Sequence, residues 1–312
     1  MNIYIKTFNR PFYLERCIRS VLFNVRNFDK IIILDDGTQE EYKLKLIQLF
    51  PEISWVANCD GSKYDLIRSG NSQRAKELYG DPASFWLREI SKDTNDYFLL
   101  IEDDTWFVHM IDLKDFESVL LNENSVICKL WWGEYNQLEE DKHIVRKYKL
   151  WNDLFIHRIN PPIQSLADVY KIFIVAMAIF RKDYYVNALK KVNHFADETT
   201  QITESLDYYH RKPEVSYCKT SERFIYQGWA TSVRHDDAIT IDVGINSFDF
   251  VDILNDAWFS GALDVMANYP YDFNMDYLVN LFKGYKLSAE KLKVYVDWRT
   301  TPQLNPTTLY YN

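Results

Sequence analysis

Glu102-Asp103-Asp104 closes an almost wholly apolar run, Tyr97-Phe98-Leu99-Leu100-Ile101. Such a run predicts a central strand covered on both faces, and carboxylates massed at its carboxyl end are costly to hold together unless a cation neutralises them. Open α/β sheets bind ligands just beyond the carboxyl ends of their strands, so a divalent metal carrying a phosphorylated ligand is the natural occupant. Two further polar clusters close strand-like runs. Lys6-Thr7-Phe8-Asn9-Arg10-Pro11 precedes a helical pattern, where free N–H donors and the helix dipole favour an anion, although a plain turn also uses Asn and Pro. Asp35-Asp36-Gly37-Thr38 offers adjacent acids for ligand contact, with a turn before a capped helix as the alternative. The Asp-x-Asp-Gly-Thr loop of an aspartyl phosphatase is excluded, because Gly37 stands where the second Asp would be required.

These clusters need a scaffold that brings strand ends together. Residues 3–5 and 31–34 predict buried strands, 54–57 a third, and 125–130 a strand after the 97–101 run. Between them Leu14, Cys17, Ile18, Val21 and Leu22 fall at helical spacing, as do Leu44, Ile47 and Phe50; 74–78 and 84–90 also read as helices, divided by Asp81-Pro82. The alternation predicts an α/β fold with a mostly parallel sheet and helices on both faces. Farther on, 144–159 fits a hairpin, 172–180 a buried strand, Tyr184, Ala188 and Val192 a helix, and 199–211 another. Short strands at 215–218, 224–227 and 232–234 extend the sheet, and a mainly helical C-terminal extension follows with Leu254, Trp258, Leu263 and Leu278 as core residues. The chain divides into 1–235 and a helical extension, 236–312.

The 312 residues supply ample core for such a domain. A net charge of −9 disfavours a nucleic-acid partner, which needs cationic surface to replace phosphate counterions. The longest apolar run, 172–180, is nine residues, well short of the roughly 20 that span a bilayer, and no signal peptide precedes the first strand, so a cytoplasmic protein is expected. Cys17, Cys59, Cys128 and Cys218 lack metal-ligand spacing and read as reduced thiols.

At these motifs the chain resembles the nucleotide-diphospho-sugar glycosyltransferases of the GT-A (Rossmann-like) fold, family 2 in particular. That family's Thr-Tyr-Asn-Arg strand end corresponds to Thr7-Phe8-Asn9-Arg10, and its Asp-Asp-Gly-Ser to Asp35-Asp36-Gly37-Thr38. An Ala-Arg-Asn-like segment is approximated by Ser72-Gln73-Arg74-Ala75, and the Asp-x-Asp motif by Glu102-Asp103-Asp104. The resemblance implies a nucleotide-sugar-binding half, 1–110, and an acceptor-binding half, 111–235. It places Phe8 against the nucleobase, Thr7 and Arg10 near base and phosphates, Asp35 or Asp36 on base or ribose, and Arg74 near the diphosphate. Asp103 would face ribose or sugar. Asp104, with Glu102, would hold Mn²⁺ or Mg²⁺, hard ions suited to oxygen ligands.

The same resemblance implies a single inverting displacement onto an acceptor hydroxyl, on a glycan or another molecule, with a general base from a Glu-Asp-x-Asp-Leu-x-x-Arg-like helix. Glu204-Ser205-Leu206-Asp207-Tyr208-Tyr209-His210-Arg211 keeps the spacing, with Ser205 in place of the second acid. Glu204 is the first candidate, with Asp197, Glu198 and Asp207 as alternatives. His235 could be a late metal ligand or phosphate contact, or a surface residue, and Trp131-Trp132-Gly133 an acceptor platform or core. Two rivals stand. A nucleotidyltransferase would carry a Gly-rich basic loop after the first strand, where this chain has no glycine. A catalytically inactive nucleotide-sugar-binding protein is prompted by Ser205.

Overall fold

A strand covered on both faces must send alternate side chains into two apolar layers, and the 97–101 run does so. The computed structural model describes residues 1–130, 144–151, 153–160, 163–166, 168, 177–192, 198–228 and 247–300. In chain order the strands are β1 (Asn2–Thr7), β2 (Val25–Arg26), β3 (Ile31–Asp35), β4 (Ser54–Ala57), β5 (Tyr97–Glu102), β6 (Thr105–Phe107) and β7 (Ile111–Asp112). They continue with β8 (Ser125–Lys129), β9 (Ile144–Lys149), β10 (Phe155–Ile159), β11 (Ala178–Arg181), β12 (Ser216–Thr220) and β13 (Ile225–Gln227). The helices are α1 (Pro11–Asn24), α2 (Glu40–Leu49), α3 (Ser62–Arg68), α4 (Ser72–Tyr79), α5 (Pro82–Ile90) and α6 (Leu113–Asn122). After these come α7 (Lys182–Leu189), α8 (Glu198–Arg211), α9 (Ser247–Phe259), α10 (Met275–Gly284) and α11 (Ala289–Thr300).

Nine strands form one sheet in the order β4-β3-β1-β5-β11-β8-β12-β10-β9. The half β4-β3-β1-β5 is parallel, and its register sets Thr7 beside Asp35 and Lys6 beside Glu102 at one rim. Beyond it β11 runs antiparallel to both β5 and β8, β12 is parallel to β8, and the β9–β10 hairpin forms the far edge. The expected α/β sheet between helices is present, parallel where the rim acids sit and mixed elsewhere. Residues 225–227, expected to extend this sheet, instead pair with β6, because that short strand continues past the acid triplet and needs a partner of its own. Of the apolar run 172–180, the described part forms Met177 and the first three residues of β11; 232–234 lies outside the described residues.

Ile3, Ile5, Leu99 and Ile101 face a layer that includes α1, α6, α9 and α10. Tyr4, Phe98 and Leu100 face a second layer with α5, α7 and α8. In α2 the buried residues are Tyr42 and Leu46, whereas Leu44 and Ile47 are 49% and 38% exposed. Phe50 is buried as expected, but the rest of the expected face is displaced, with Trp258 of α9 meeting the Tyr42 ring edge-on, 6.0 Å between centroids. Leu254, Trp258, Leu263 and Leu278 are buried as expected, and they lie in the same apolar cluster as β1 and α1. All four cysteines are free thiols. Among the described residues no helix is long and apolar enough to cross a membrane.

Arg16 fastens the C-terminal region to α1. It is fully buried, with its guanidinium 4.1 Å from the Trp106 ring centre. Nη1 donates to the carbonyls of Val265 at 3.0 Å and Ala267 at 3.2 Å, and Nη2 to that of Tyr271. One turn earlier the Tyr13 hydroxyl donates to Asp272 at 3.0 Å. Arg16→Ala removes both packing and buried hydrogen bonds, and should cost on the order of 3 kcal/mol. Urea unfolding checks this: a loss below about 1 kcal/mol would show that the clasp contributes little.

Candidate functional site

The rim is assembled by three strand ends. Asp103 N–H donates to the Lys6 carbonyl at 2.9 Å, and Asp36 N–H to that of Thr7 at 3.0 Å. The turn after β5 is locked by Thr105, whose hydroxyl donates to the Glu102 carbonyl at 2.6 Å, while Gly228 N–H donates to the Asp104 carbonyl at 2.6 Å. Arg10 is the N-cap of α1 and Pro11 its first residue, a position suited to proline because no intrahelical N–H is needed there.

Arg10 turns its side chain back onto the acids. Its Nε and Nη2 donate to Asp103, and Nη1 donates to Asp104 Oδ2 at 2.8 Å. The Thr7 hydroxyl donates to Asp103 Oδ2 at 2.8 Å. Asp103 and Asp104 are both buried. Burial raises the pKa of Asp103 above its ordinary value despite Arg10. Burial also pushes Asp104 up to about 7, with Arg10 opposing the shift and the charges of Asp103 and Glu102 adding to it. Partial burial of the Arg10 side chain disfavours its charged form, but the two aspartates raise its pKa.

Glu102 belongs to the other face. The pleat sends it to the side of Lys6, with Nζ 2.8 Å away, while Asp103 goes to the side of Thr7. Although burial works against ionisation, Lys6 holds Glu102 below its ordinary pKa. Lys6 also lies 4.2 Å from the Trp86 ring centre. Glu102 and Asp104, expected to share a metal, are thus turned towards different cations.

At the end of β3 the two aspartates have separate duties. Asp35 accepts from the N–H groups of Gly37 at 3.1 Å and Thr38 at 2.8 Å, and from Trp55 Nε1 at 3.1 Å, which makes it the brace of the turn. Asp36 accepts from Lys63 Nζ at 2.6 Å and Asn58 Nδ2 at 2.8 Å. Burial raises both carboxyls above their ordinary range. Gly37 adopts φ +135°, and a Cβ there would lie 3.3 Å from the Phe8 ring. Phe8 is partly buried, its ring tilted against Tyr64 with centroids 5.6 Å apart.

Several other expected site residues have partners of their own or are open to solvent. Arg74 is exposed on α4 and pairs with Glu77 one turn away at 3.3 Å. Glu204 is buried on α8 between Lys190 at 3.2 Å and Lys191 at 2.5 Å; burial opposes ionisation, but the two ammonium groups lower its pKa. Ser205, in the second-acid position, is buried and donates to the Gln201 carbonyl at 2.7 Å. Asp207 is exposed. Glu198 opens α8, while Asp197, His235 and Trp131-Trp132-Gly133 lie outside the described residues. Sequence reasoning missed Lys63, a lone lysine in α3 with no motif to mark it. It also missed Asn255, whose Nδ2 donates to the Asn9 carbonyl at 3.0 Å from the far end of the chain.

Among the described residues no three His, Cys, Asp or Glu side chains converge to hold a metal. Of the rim carboxylate oxygens in that set, Asp104 Oδ1 is the one buried without a hydrogen-bond partner. One free carboxylate oxygen fits a cation that keeps several waters and takes its other ligands from substrate phosphates, the usual habit of Mg²⁺.

No family model matches the sequence, and no curated protein does. Solved structures similar to this chain include S. aureus TarS 1-349 in complex with UDP-GlcNAc, at 10% identity and TM-score 0.46, covering 99% of this chain and 86% of that one. A longer S. aureus TarS structure gives 11% identity and TM-score 0.44, covering 96% of this chain and 55% of that one. Glucosyl-3-phosphoglycerate synthase from Mycobacterium tuberculosis in complex with phosphoglyceric acid gives 12% and 0.38, covering 70% and 68%. At identities and TM-scores this low, these likenesses carry no inference about activity.

A carboxyl that binds its proton more tightly when folded contributes less stability as pH rises through the interval between its unfolded and folded pKa values. For Asp104 that interval runs from 3.8 to about 7. Metal-stripped protein should therefore lose stability between pH 5 and 7, roughly the middle and upper part of that interval, and Asp104→Asn should reduce the loss. Urea midpoints across this range provide the check; an identical slope in the variant would show that Asp104 titrates normally.

Proposed function

We propose that the protein transfers a sugar from a nucleoside-diphosphate donor to an acceptor hydroxyl. The observation that carries this reading is the convergence of Thr7, Arg10, Asp103 and Asp104 at the carboxyl ends of β1 and β5, beside Asp36 at the end of β3. A guanidinium over two buried carboxylates at this rim suits a ligand that carries both phosphates and hydroxyls. Arg10 would take the diphosphate, which matches its planar fork of donors. Asp103 would accept from ribose or sugar hydroxyls, and the Phe8 face would pack on the base. Asp104 would hold Mn²⁺ or Mg²⁺, which when bound supplies Lewis-acid stabilisation of the departing diphosphate.

In the displacement the acceptor oxygen bonds to the anomeric carbon as the bond from that carbon to the phosphate oxygen breaks. The electron pair leaves on the diphosphate, the acceptor proton passes to a base, and the anomeric configuration inverts. Glu204 is ill suited as that base, since two lysines hold its pKa low. Glu198 is the better candidate by topology. β11 runs antiparallel to β5, so α7 starts at the rim opposite the acids and returns towards them. α8 then runs back, with Tyr208 in its last turn meeting Arg181 and Asp183 at the start of α7. Its first residue therefore lies towards the acid rim.

Asp104→Asn should weaken Mn²⁺-dependent binding of UDP or GDP by at least about tenfold in calorimetry, since it removes the charge of the carboxylate whose Oδ1 has no hydrogen-bond partner. Unchanged affinity would remove the metal assignment. With a donor sugar found by screening, Glu198→Gln should lower kcat by about 10²–10⁴ with donor KM little changed, whereas Glu204→Gln should keep transfer. Wild-type turnover by the Glu198 variant would place the base elsewhere.

A further inference from the structure

Arg10 and a divalent cation compete for the same carboxylate. The Arg10 side chain is 23% exposed, whereas those of Asp103 and Asp104 are 0% and 5%, so of the three Arg10 is the one that reaches solvent. It occupies Asp104 Oδ2, while Oδ1 is buried without a partner. A doubly charged ion on Asp104 would sit against the guanidinium at a few ångströms in a poorly screened site, and the two cations would repel. Removal of Arg10 without replacement would leave buried carboxylates uncompensated, so in their ionised form the acids need one cation or the other.

We propose that Arg10 is a resident, displaceable counter-ion. It closes the acid rim in the free protein, and the diphosphate draws it away so that a divalent cation can take Asp104. This rests on the nucleoside-diphosphate reading of the site. Phosphate oxygens accept the guanidinium fork as well as carboxylates do, which gives Arg10 somewhere to go. The exchange is a side-chain rotation on a fixed backbone. Asn255 donates to the Asn9 carbonyl at 3.0 Å, Gln39 N–H donates to Asn9 Oδ1 at 3.0 Å, and Arg10 itself caps α1. Metal and diphosphate then bind with positive coupling, each tightening the other by the same factor.

The test is titration of the full chain with Mn²⁺, read from the free-ion electron paramagnetic resonance signal, with and without UDP or GDP. Wild type should bind Mn²⁺ alone weakly, and Arg10→Gln should bind it at least about tenfold more tightly. Arg10→Lys keeps one positive charge but cannot bridge both carboxylates, so it should bind Mn²⁺ alone about threefold or more tighter than wild type. If Arg10→Gln does not fold, Arg10→Lys against wild type carries the comparison. Equal Mn²⁺ affinity in all three, with diphosphate still tightening the metal, would overturn the counter-ion role and leave the donor reading standing. A gain in Arg10→Gln with none in Arg10→Lys would reduce the effect to net charge and also overturn it. Failure of every form to bind Mn²⁺ and diphosphate would bring down the donor reading itself.

Discussion

Two buried carboxylates side by side at a sheet rim stay ionised only beside a cation, and the ion pair of Arg10 with Asp103 and Asp104 supplies it. The backbone at the rim is shaped to make the pair. Parallel pairing of β1 with β5 puts Lys6 beside Glu102, so the next residue on each chain, Thr7 and Asp103, meet through a 2.8 Å hydrogen bond. Pro11 then starts α1 at once, which keeps Arg10 within reach of both aspartates. The pleat gives the rim two direct ion pairings, Lys6 with Glu102 on one face and Arg10 with the aspartates on the other, and the Glu102 charge is still felt at Asp104.

The C-terminal region completes this site although none of its described residues is a rim acid. Arg16 and Tyr13 fix the inner side of α1 to the segment 265–272. Asn255 holds the Asn9 carbonyl, and Asn9 adopts φ +50°, a left-handed conformation that asparagine tolerates better than most residues. The Trp258 indole N–H donates to Glu15 at 2.6 Å, farther along the same helix. The turn that carries Phe8, Asn9 and Arg10 is thus held by contacts from the opposite end of the chain. Rigidity of that kind suits a ligand loop, because a preformed site loses less entropy on binding.

Particular residues show how far the sequence could be read. Uninterrupted apolar runs specified β1, β3 and β5, since a strand buried on both faces has few other compositions available. Asp81 was legible as a helix boundary because its side chain can accept from Ser84 N–H, here at 2.8 Å. The surroundings of Glu204 were not legible, because helical spacing does not specify which neighbours close over a side chain, and its neighbours Lys190 and Lys191 come from the turn after α7. The setting of Arg74 was likewise not legible: its motif matched loosely, and α4 presents it to solvent beside Glu77.

By itself the sequence determined the α/β alternation, the parallel half of the sheet and the massing of Asp35, Asp36, Asp103 and Asp104 at strand ends, because these follow from local hydrophobic period and chain order. Tertiary structure alone decided which cation each acid meets: Lys6 for Glu102, Lys63 for Asp36, Arg10 for the two aspartates. It also decided that Tyr42 and Leu46, not Leu44 and Ile47, face inward on α2. Charge pairing and face selection depend on the three-dimensional positions of residues distant in the chain, and no local pattern encodes those.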